Sequence, residues 1–439
     1  MKSICLFFQV HQPFRFRNYR FFEIGNDHYY YDDYANDTIL QRVAENCYLP
    51  KNKILLDLID KNKGKFKVAF SISGTALEQF QLYAPEVIKS FQELAKTGCV
   101  EFLTGTFSHS LASLSDKIIF EEQVSRHGKK IIQLFGQKPK VFVNTEMIYS
   151  DEIGKQVAGL GFDGMLTEGA KHVLGWKSPN FVYVNAINPK LKVLMRNFKL
   201  SDDLTFRFSN NNWSEFPLTS EKFVGWIQEI EDKDEIINLF MNYETFGEIQ
   251  PEESGIFDFL KSFPSKILES QELKFATPSE IIKENQPVST VHVPNPISWA
   301  DEERDLSAWI GNELQNEAFS KLYMLKEKMN SCSDEDIQKD WNYLQGCDHF
   351  YYMSTKFFSD GEVHKFFNPY NSPYEAFINY MNVLSDFKQR LVSIVKDPSI
   401  SLEVSSLNRI IEEKDNEIKK YKTEINRLKK QRTKNVAKK

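Results

Sequence analysis

Short apolar segments alternate with helical patterns over the first 245 residues, and this alternation constrains the fold more than any other feature of the chain. Strands that alternate with helices indicate a mostly parallel sheet. Seven apolar or β-branched runs bounded by Gly, Pro, Lys or Asn have the pattern of buried strands: Ile4–Val10, Phe66–Ser73, Val100–Gly105, Val141–Thr145, Phe162–Thr167, Leu191–Phe198 and Ile236–Tyr243. Seven such units in about 250 residues favour an α/β barrel over an open sheet.

The texture of the sequence changes near Glu284. A polar connector ends at Pro296, and long helical patterns follow it at Leu306–Met329, Asp334–Gln345 and Pro373–Val395. We therefore predict a barrel domain over residues 1–285, a helical domain over 286–398 and a charged tail over 399–439.

The tail has heptad character. Apolar side chains fall at a and d positions at Leu407, Ile411, Ile418, Tyr421, Ile425 and Leu428. Lys414 takes a d position, which weakens the seam. Two interpretations stay open with equal weight: self-association of residues 402–439 through a short coiled coil, and a lone solvated helix, since coils of this length are marginal.

Composition narrows the class of protein. The net charge of −6 argues against nucleic acid as the main partner. No run approaches the ~20 apolar residues of a membrane span, so no membrane partner is expected. The five cysteines are odd in number and contain no CxxC pair, which fits reduced thiols in a cytoplasmic protein better than a disulfide framework.

Two of the predicted strands end in carboxylates. The run VFVNT leads into Glu146, and the run from Ile236 leads into Glu244 and Glu248. Active sites of α/β enzymes form beyond the carboxyl ends of parallel strands. A carboxylate at such a place is either paired structurally or exposed in a cleft for chemistry. Two of them facing one cleft would suit acid/base and nucleophilic work on a glycoside.

Two histidines follow strand ends as well. His11 comes directly after the first strand, and His109 lies in the polar loop after the third. Each can bind a ligand, and each has a simpler explanation as a strand cap or a surface residue. No third ligand stands at a metal-binding spacing, so we predict neither a metal nor a cofactor.

Asn242 complicates the second carboxylate. Strand alternation predicts that Asn242 and Glu244 point to the same side. An amide cannot donate a proton as a general acid, so Asn242 alone could only orient a ligand. Most of the aromatic residues are needed for the core, while Trp176 and Trp299 are candidate platforms for sugar stacking.

Several blocks in order resemble glycoside hydrolase family 57, the α-amylase-like family. They cover about residues 1–390 and read VHQP (10–13), EFLTGTFSHSL (101–111), NTEMIYS (144–150), MNYETFGE (241–248), ATPSE (276–280), ISWADEERDLSAW (297–309), HFYYMSTK (349–356) and SPYEAFINYMNVLSDF (372–387).

The resemblance implies an incomplete seven-stranded (β/α) barrel followed by a helical domain. It implies a retaining mechanism on α-glucans such as starch, glycogen or maltooligosaccharides; members include α-amylases, 4-α-glucanotransferases, branching enzymes and amylopullulanases. The family nucleophile matches Glu146, and active-site histidines match His11 and His109. The family's acid/base is an Asp where this chain has Asn242, and a Glu common in close relatives is here Gly105.

Two functional hypotheses follow, and a third concerns the tail. The first is a retaining α-glucan hydrolase or transglycosylase whose missing acid is supplied by Glu244 or Glu248, the latter otherwise a substrate contact. The second is a catalytically impaired amylase-like protein that binds α-glucans. The third is a scaffolding role through the tail.

Overall fold

The protein is described by a computed structural model covering residues 1–356 and 368–395, with residues 414, 418, 421 and 422 of the tail. These four tail residues are helical, and all four are exposed. The predicted heptad seam otherwise lies outside the described residues, so self-association stays a prediction.

Ten strands form the framework of the described chain. They are β1 Lys2–Val10, β2 Val68–Ile72, β3 Val100–Phe102, β4 Val141–Val143, β5 Gly164–Glu168, β6 Val182–Asn185, β7 Lys192–Arg196, β8 Ile236–Asn242, β9 Leu273–Phe275 and β10 Ser289–Val291. All seven predicted strands are present, several of them shorter than the apolar run that predicted them. The other three, β6, β9 and β10, were not predicted.

The strands form two five-stranded sheets. In the first, the order is β3-β2-β1-β8, and β9 pairs with the start of β1. In the second, the order is β10-β6-β7-β5-β4. Every pairing is parallel except that of β6 with β7. The parallel sheets that the alternation predicts are therefore confirmed.

Contacts join the two sheets. A parallel bridge links Thr104, just after β3, to Phe142 in β4. On the other side, the Asn197 N–H after β7 donates to the carbonyl of Asn238 in β8 at 2.9 Å. The predicted strands thus follow one another in space around a shared interior. Closure into an incomplete seven-stranded barrel remains the prediction of the family resemblance.

Seventeen α-helices are present in the described residues. They are α1 Asp33–Val43, α2 Leu49–Lys61, α3 Gly74–Tyr83, α4 Pro85–Lys96, α5 Lys117–Phe135, α6 Asp151–Gly159, α7 Lys171–Leu174, α8 Phe198–Asp202, α9 Ser220–Gln228, α10 Ile256–Glu269, α11 Pro278–Glu284, α12 Ser307–Ile310, α13 Glu313–Tyr323, α14 Lys326–Asn330, α15 Glu335–Leu344, α16 Cys347–Tyr351 and α17 Pro373–Ile394. Among them, none combines the length and the apolar character that crossing a bilayer requires.

The long helical pattern predicted at 306–329 is three helices rather than one. Asn312 interrupts it as the N-cap of α13, where its side chain accepts the N–H of Gln315 and forms a capping box. Capping residues of this kind favour a helix start over a helix interior. The pattern of apolar residues therefore gave the segment's helical character but not its break.

Three apolar clusters hold these elements together. One packs α1–α4, α9 and α10 on the first sheet. A second joins the second sheet to α12, α13 and α15–α17, so the helices after residue 306 share a core with that sheet. The third takes residues of both sheets, including Phe7, Val143, Leu194 and Phe240. It fills the space between the sheets and supports the strand ends where polar residues gather.

Candidate active site

Four polar side chains meet beyond the carboxyl ends of β1, β3 and β4. His11 follows β1, His109 lies in the loop after β3, and Glu146 follows β4. Asp348 joins them from α16, far along the chain. A bridge between Ser110 and Gly346 brings the α16 segment alongside the β3 loop. The structure therefore brings together the three sequence-predicted residues and one that the prediction missed.

Glu146 sits in a strained turn. It lies in a 3-10 turn directly after β4, and both Glu146 and Met147 have φ of 53°. His109 likewise has φ of 50°. Residues other than Gly rarely adopt this left-handed backbone conformation, and each such residue costs of order 1–3 kcal/mol. Strained residues of this kind cluster at functional sites. Here the strained turn fixes the direction of a carboxylate that is only 5% exposed.

Two nitrogen donors meet the Glu146 carboxylate. His109 Nε2 lies 2.7 Å from Oε1, and the indole Nε1 of Trp299 donates to Oε2 at 2.7 Å. The main-chain N–H of Trp299 also donates to the Glu146 carbonyl at 3.2 Å. Hydrogen bonds to a charged carboxylate are among the stronger ones in proteins. The arrangement stabilises and orients an ionised Glu146.

A buried ionic network fixes the position of Trp299. Arg304 donates to the Trp299 carbonyl, and its other nitrogen lies 2.8 Å from Asp202. Arg196 bonds Asp202 at 2.5 Å and Glu168 at 3.0 Å. All four charged residues are buried. Removing one partner of such a set leaves an uncompensated charge, so the network holds the segment carrying Trp299 in one arrangement.

His11 is stacked on His109, with ring centroids 4.1 Å apart. Its Nδ1 lies 2.7 Å from Ser73 Oγ, and its Nε2 lies 2.7 Å from Asp348 Oδ2. Burial, followed by the charge of His109, lowers the pKa of His11 to about 4. His11 is therefore neutral near pH 7, with Nε2–H donating to Asp348 and Nδ1 accepting the Ser73 hydroxyl.

Asp348 and Cys347 complete the cluster. The Cys347 sulfur lies 4.0 Å from Glu146 Oε1 and 3.9 Å from Asp348 Oδ2. Both residues are buried. Sequence analysis missed them, although the family-like block HFYYMSTK begins at the next residue, His349. The position of Asp348 next to this block was the available signal for a functional residue. The spacing of residues in the sequence could not show that α16 lies close to β4.

The second predicted carboxylate region is arranged differently. Asn242 ends β8, pairs in register with Gln9 and is partly buried. Within residues 1–356 and 368–395, its side-chain amide makes no hydrogen bond. The strand stops here and a 3-10 turn, Tyr243–Thr245, follows. The strand alternation used to predict Asn242 and Glu244 on one side therefore does not extend to Glu244, because the backbone leaves the extended conformation after Asn242.

Glu244 is occupied by neighbours of its own. The Tyr48 hydroxyl lies 2.5 Å from its Oε1, and Gln12 in turn donates to Tyr48 at 3.2 Å. Burial raises the pKa of Glu244 to about 7, against smaller lowering effects from Tyr48 and Lys51. Part of the Glu244 population is thus protonated at neutral pH.

The two remaining predicted contacts lie outside this cluster. Glu248 Oε2 faces Arg42 at 3.3 Å, and its Oε1 accepts from Asn46 at 3.4 Å. Trp176 lies in the loop after α7 and is 93% exposed. Neither forms a described hydrogen bond with Glu146. Their roles in binding a substrate remain predictions.

Gly105 has a packing reason. A Cβ at this position would lie 2.7 Å from the carbonyl oxygen of Val143, the last residue of β4. Side-chain atoms do not approach backbone oxygens so closely. The absence of a larger residue here follows from the close approach of the β3 loop to β4.

Comparison with known proteins points to one family. The sequence profile described as glycosyl hydrolase family 57 matches residues 5–294. A putative alpha-amylase of Methanocaldococcus jannaschii is 38% identical over 431 residues, covering 94% of this chain and 90% of that protein.

Solved structures of low identity share the fold. A GH57 branching enzyme from Thermococcus kodakaraensis superposes with a TM-score of 0.63 at 14% identity, covering 92% of this chain and 94% of that one. A 4-alpha-glucanotransferase from Thermococcus litoralis gives a TM-score of 0.63 at 15% identity. There the match covers 80% of this chain and 56% of the transferase, so the chain spans little more than half of that enzyme.

Proposed function

Since the chain belongs to glycosyl hydrolase family 57, we propose that it acts on α-glucans by a retaining mechanism in which Glu146 is the nucleophile. The observation that carries the proposal is the setting of Glu146. Its carboxylate stands beyond a parallel strand, in a strained turn, between an imidazole and an indole N–H at 2.7 Å each. A nucleophile on an anomeric carbon needs an ionised and fixed carboxylate of this kind.

The substrate class is supported by the relatives. One is named a putative alpha-amylase, and a structural neighbour is a 4-alpha-glucanotransferase. Starch, glycogen and maltooligosaccharides are the corresponding candidate substrates. Hydrolysis and transfer share the first chemical step, and they differ in whether water or a sugar hydroxyl accepts the glycosyl group.

The second carboxylate of the mechanism is assigned to Asp348. Retaining glycosidases hold their two carboxyl groups about 5–5.5 Å apart. Asp348 is the carboxylate that shares a neighbour with the nucleophile, since Cys347 Sγ lies within 4.0 Å of both. Glu244 is the alternative donor, because its raised pKa keeps part of it protonated. Its described side-chain contact, however, runs to Tyr48 rather than to the Glu146 cluster.

The steps then follow from these roles. Glu146 attacks the anomeric carbon while a protonated Asp348 gives its proton to the departing glycosidic oxygen. The Asp348 carboxylate next takes a proton from water or from an acceptor hydroxyl, which attacks the glycosyl–Glu146 ester. Two inversions at one carbon give a product with the configuration of the substrate.

The second candidate function is α-glucan binding with little turnover. The observation that favours it is Asn242, which stands where the family has its acid/base and which cannot transfer a proton. In this case the cleft would still hold a glucan chain, and the nucleophile would remain in place without an efficient acid.

The experiment that separates the candidates measures reducing-sugar release and oligosaccharide redistribution from maltoheptaose. Wild type, Glu146→Gln and Asn242→Asp are compared, with the exposed Glu93→Gln as a matched control. Activity in wild type that Glu146→Gln abolishes supports the enzyme. A silent wild type together with an active Asn242→Asp variant contradicts it and supports the binding protein. Longer products alongside shorter ones identify transfer.

A further inference from the structure

We propose that His109, Glu146 and Cys347 form a binding site for one thiophilic divalent cation of the Zn²⁺ type, and that a bound ion blocks the nucleophile. The blocking effect rests on the proposed function, whereas metal binding does not and is measured without substrate. Its failure is therefore distinguishable from a failure of the proposed reaction.

The three side chains offer a suitable set of ligand atoms. A ring nitrogen of His109, a carboxylate oxygen of Glu146 and Cys347 Sγ all lie within 4.8 Å of one another, and all three residues are buried. Imidazole, carboxylate and thiolate are the three donor types that zinc proteins use. The sequence concealed this set because Cys347 lies 201 positions after Glu146.

The distances need adjustments of about an ångström or less for two of the three ligand pairs and up to about 1.3 Å for the third. Ligand atoms around a tetrahedral Zn²⁺ lie about 3.3–3.7 Å apart, given Zn–N and Zn–O bonds near 2.0 Å and Zn–S bonds near 2.3 Å. Nε2 and Oε1 are 2.7 Å apart as a hydrogen bond, and Sγ and Oε1 are 4.0 Å apart. The first pair must open and the second must close, each by roughly half an ångström. The third pair, a His109 ring nitrogen and Cys347 Sγ, lies within 4.8 Å and must close by up to about 1.3 Å.

The backbone holds the three ligands together before any ion arrives. The Cys347 N–H donates to the His109 carbonyl at 3.0 Å, which ties two ligand-bearing segments directly. His109 and Glu146 both hold left-handed backbone conformations that fix their side-chain directions. Trp299 donates to Glu146 Oε2 and so orients the carboxylate with Oε1 toward the other two ligands. Outer hydrogen bonds of this kind orient ligands in metal sites.

The donor set also selects the ion. A thiolate and an imidazole favour Zn²⁺ and other soft or borderline ions, whereas Mg²⁺ and Ca²⁺ prefer sets made of oxygen atoms. Three protein ligands leave a fourth position for water or a sugar hydroxyl. An ion bound here would coordinate Oε1 of Glu146 and draw negative charge away from the carboxylate, which weakens Glu146 as a nucleophile.

The direct test titrates the chelator-treated full chain with Co²⁺, which replaces Zn²⁺ and reports its ligands by absorption. We expect one equivalent to bind with a thiolate-to-metal charge-transfer band and the intense visible bands of tetrahedral coordination. Zn²⁺ should displace the signal, and Mg²⁺ in large excess should not. Bound Co²⁺ that lacks the thiolate band, or an absence of binding, would overturn the proposal.

A variant with a matched control adds a second test. Cys347→Ser keeps the shape of the side chain, and Cys99→Ser changes another buried cysteine that precedes β3, at the opposite end of the strand. Equilibrium dialysis with metal analysis should show Zn²⁺ affinity at least tenfold weaker in Cys347→Ser and unchanged in Cys99→Ser. Equal affinity in wild type and Cys347→Ser overturns the proposal. The Co²⁺ titration of wild type stands even where a variant fails to fold.

Inhibition of turnover by Zn²⁺ provides the last test. One equivalent of bound Zn²⁺ should reduce maltoheptaose turnover by at least tenfold, and chelation should restore it. Turnover that continues unchanged with Zn²⁺ bound would contradict the blocking effect.

Discussion

Two carboxylate regions lie beyond strand ends in this protein, and they are built for different purposes. After β4, Glu146 occupies a strained turn and receives an imidazole and an indole N–H. After β8, the residue at the strand end is Asn242, and Glu244 behind it bonds to Tyr48. A carboxylate that follows a buried strand is therefore not sufficient evidence of catalysis, because its neighbours decide what it can do.

Lys51, whose charge lowers the pKa of Glu244, is surrounded by three aromatic rings. The Lys51 ammonium lies 3.7 Å from the ring centroid of Phe8, 3.9 Å from that of Tyr243 and 3.8 Å from that of Phe246. Burial lowers the pKa of Lys51. Cation–π contacts and a nearby carboxyl are how a protein accommodates a buried cation. These contacts pack Lys51 against β1 and the turn after β8, whereas the region after β4 is the one proposed to bind a ligand.

The most decisive test of this difference is to remove the Glu146 carboxylate and the Glu244 carboxylate in separate variants. Glu146→Gln should reduce turnover of maltoheptaose by at least about 10³-fold, because loss of a nucleophile removes the covalent route. Glu244→Gln should change turnover by less than about tenfold, because its role is structural. Comparable losses in the two variants would show that both carboxylates act in the reaction.

Asp348→Asn should give the next largest effect. General acid–base catalysis contributes about 10²–10⁴-fold, so a loss of that size in kcat is expected for an intact nucleophile without its partner. Initial rates on maltoheptaose measure it, with the exposed Asp336→Asn as control. A loss below tenfold would move the acid role away from Asp348, and Asn242→Asp would then be the variant to combine with it.

The pH dependence of stability tests whether Glu244 is buried as a structural residue. Glu244 has a pKa of about 7 in the folded protein against an ordinary value of 4.5, because burial disfavours its charge. The folded state therefore binds more protons than the unfolded state between these values, and stability falls as pH rises through them. Between roughly pH 4 and pH 8, wild type should lose about 3 kcal/mol of unfolding free energy relative to Glu244→Gln.

Denaturant unfolding of both proteins across this range provides the measurement. Parallel curves of unfolding free energy against pH would show that Glu244 keeps an ordinary pKa and that its surroundings are open to solvent.

The smallest effect concerns the orientation of the nucleophile. Trp299→Phe removes the indole N–H from Glu146 Oε2 and retains an aromatic ring near Arg196. Losing a hydrogen bond to a charged group costs about 1.5–3 kcal/mol, which corresponds to about 10–150-fold in kcat. Trp226→Phe, on α9 and packed against the core of the first sheet, is the matched control for kcat. An unchanged kcat in Trp299→Phe would mean that His109 alone orients the carboxylate.

The sequence predicted the first region better than the second. Hydrophobic periodicity located β1, β3 and β4, and the polar residues after these strands were recognisable without a structure. Asp348 and Cys347 were missed because they reach the site from α16, through a bridge between Ser110 and Gly346 that no local pattern encodes. Long-range contacts of this kind are absent from single-sequence periodicity.

The second region was misjudged for a local reason. Strand alternation was extended past Asn242, although the chain turns into a 3-10 helix at Tyr243. Tyr48, which bonds to Glu244, lies in a helical segment far earlier in the chain, so this contact is also long-range. Residue propensity and hydrophobic periodicity predict that a strand or helix exists, but they predict its last residue poorly. This site begins at the last residue of a strand.

The most direct test of the central claim is the anomeric configuration of the glycosyl azide formed by alanine variants supplied with azide and an aryl α-maltooligosaccharide. The activated leaving group needs no acid, so each variant reports its own missing residue. We predict that Asp348→Ala yields the α-azide, because azide replaces water on the glycosyl–Glu146 ester, and that Glu146→Ala yields the β-azide by direct attack. An α-azide from Glu146→Ala would contradict its role as nucleophile. Failure of Asp348→Ala to yield any azide product would contradict the partnership of these two carboxylates.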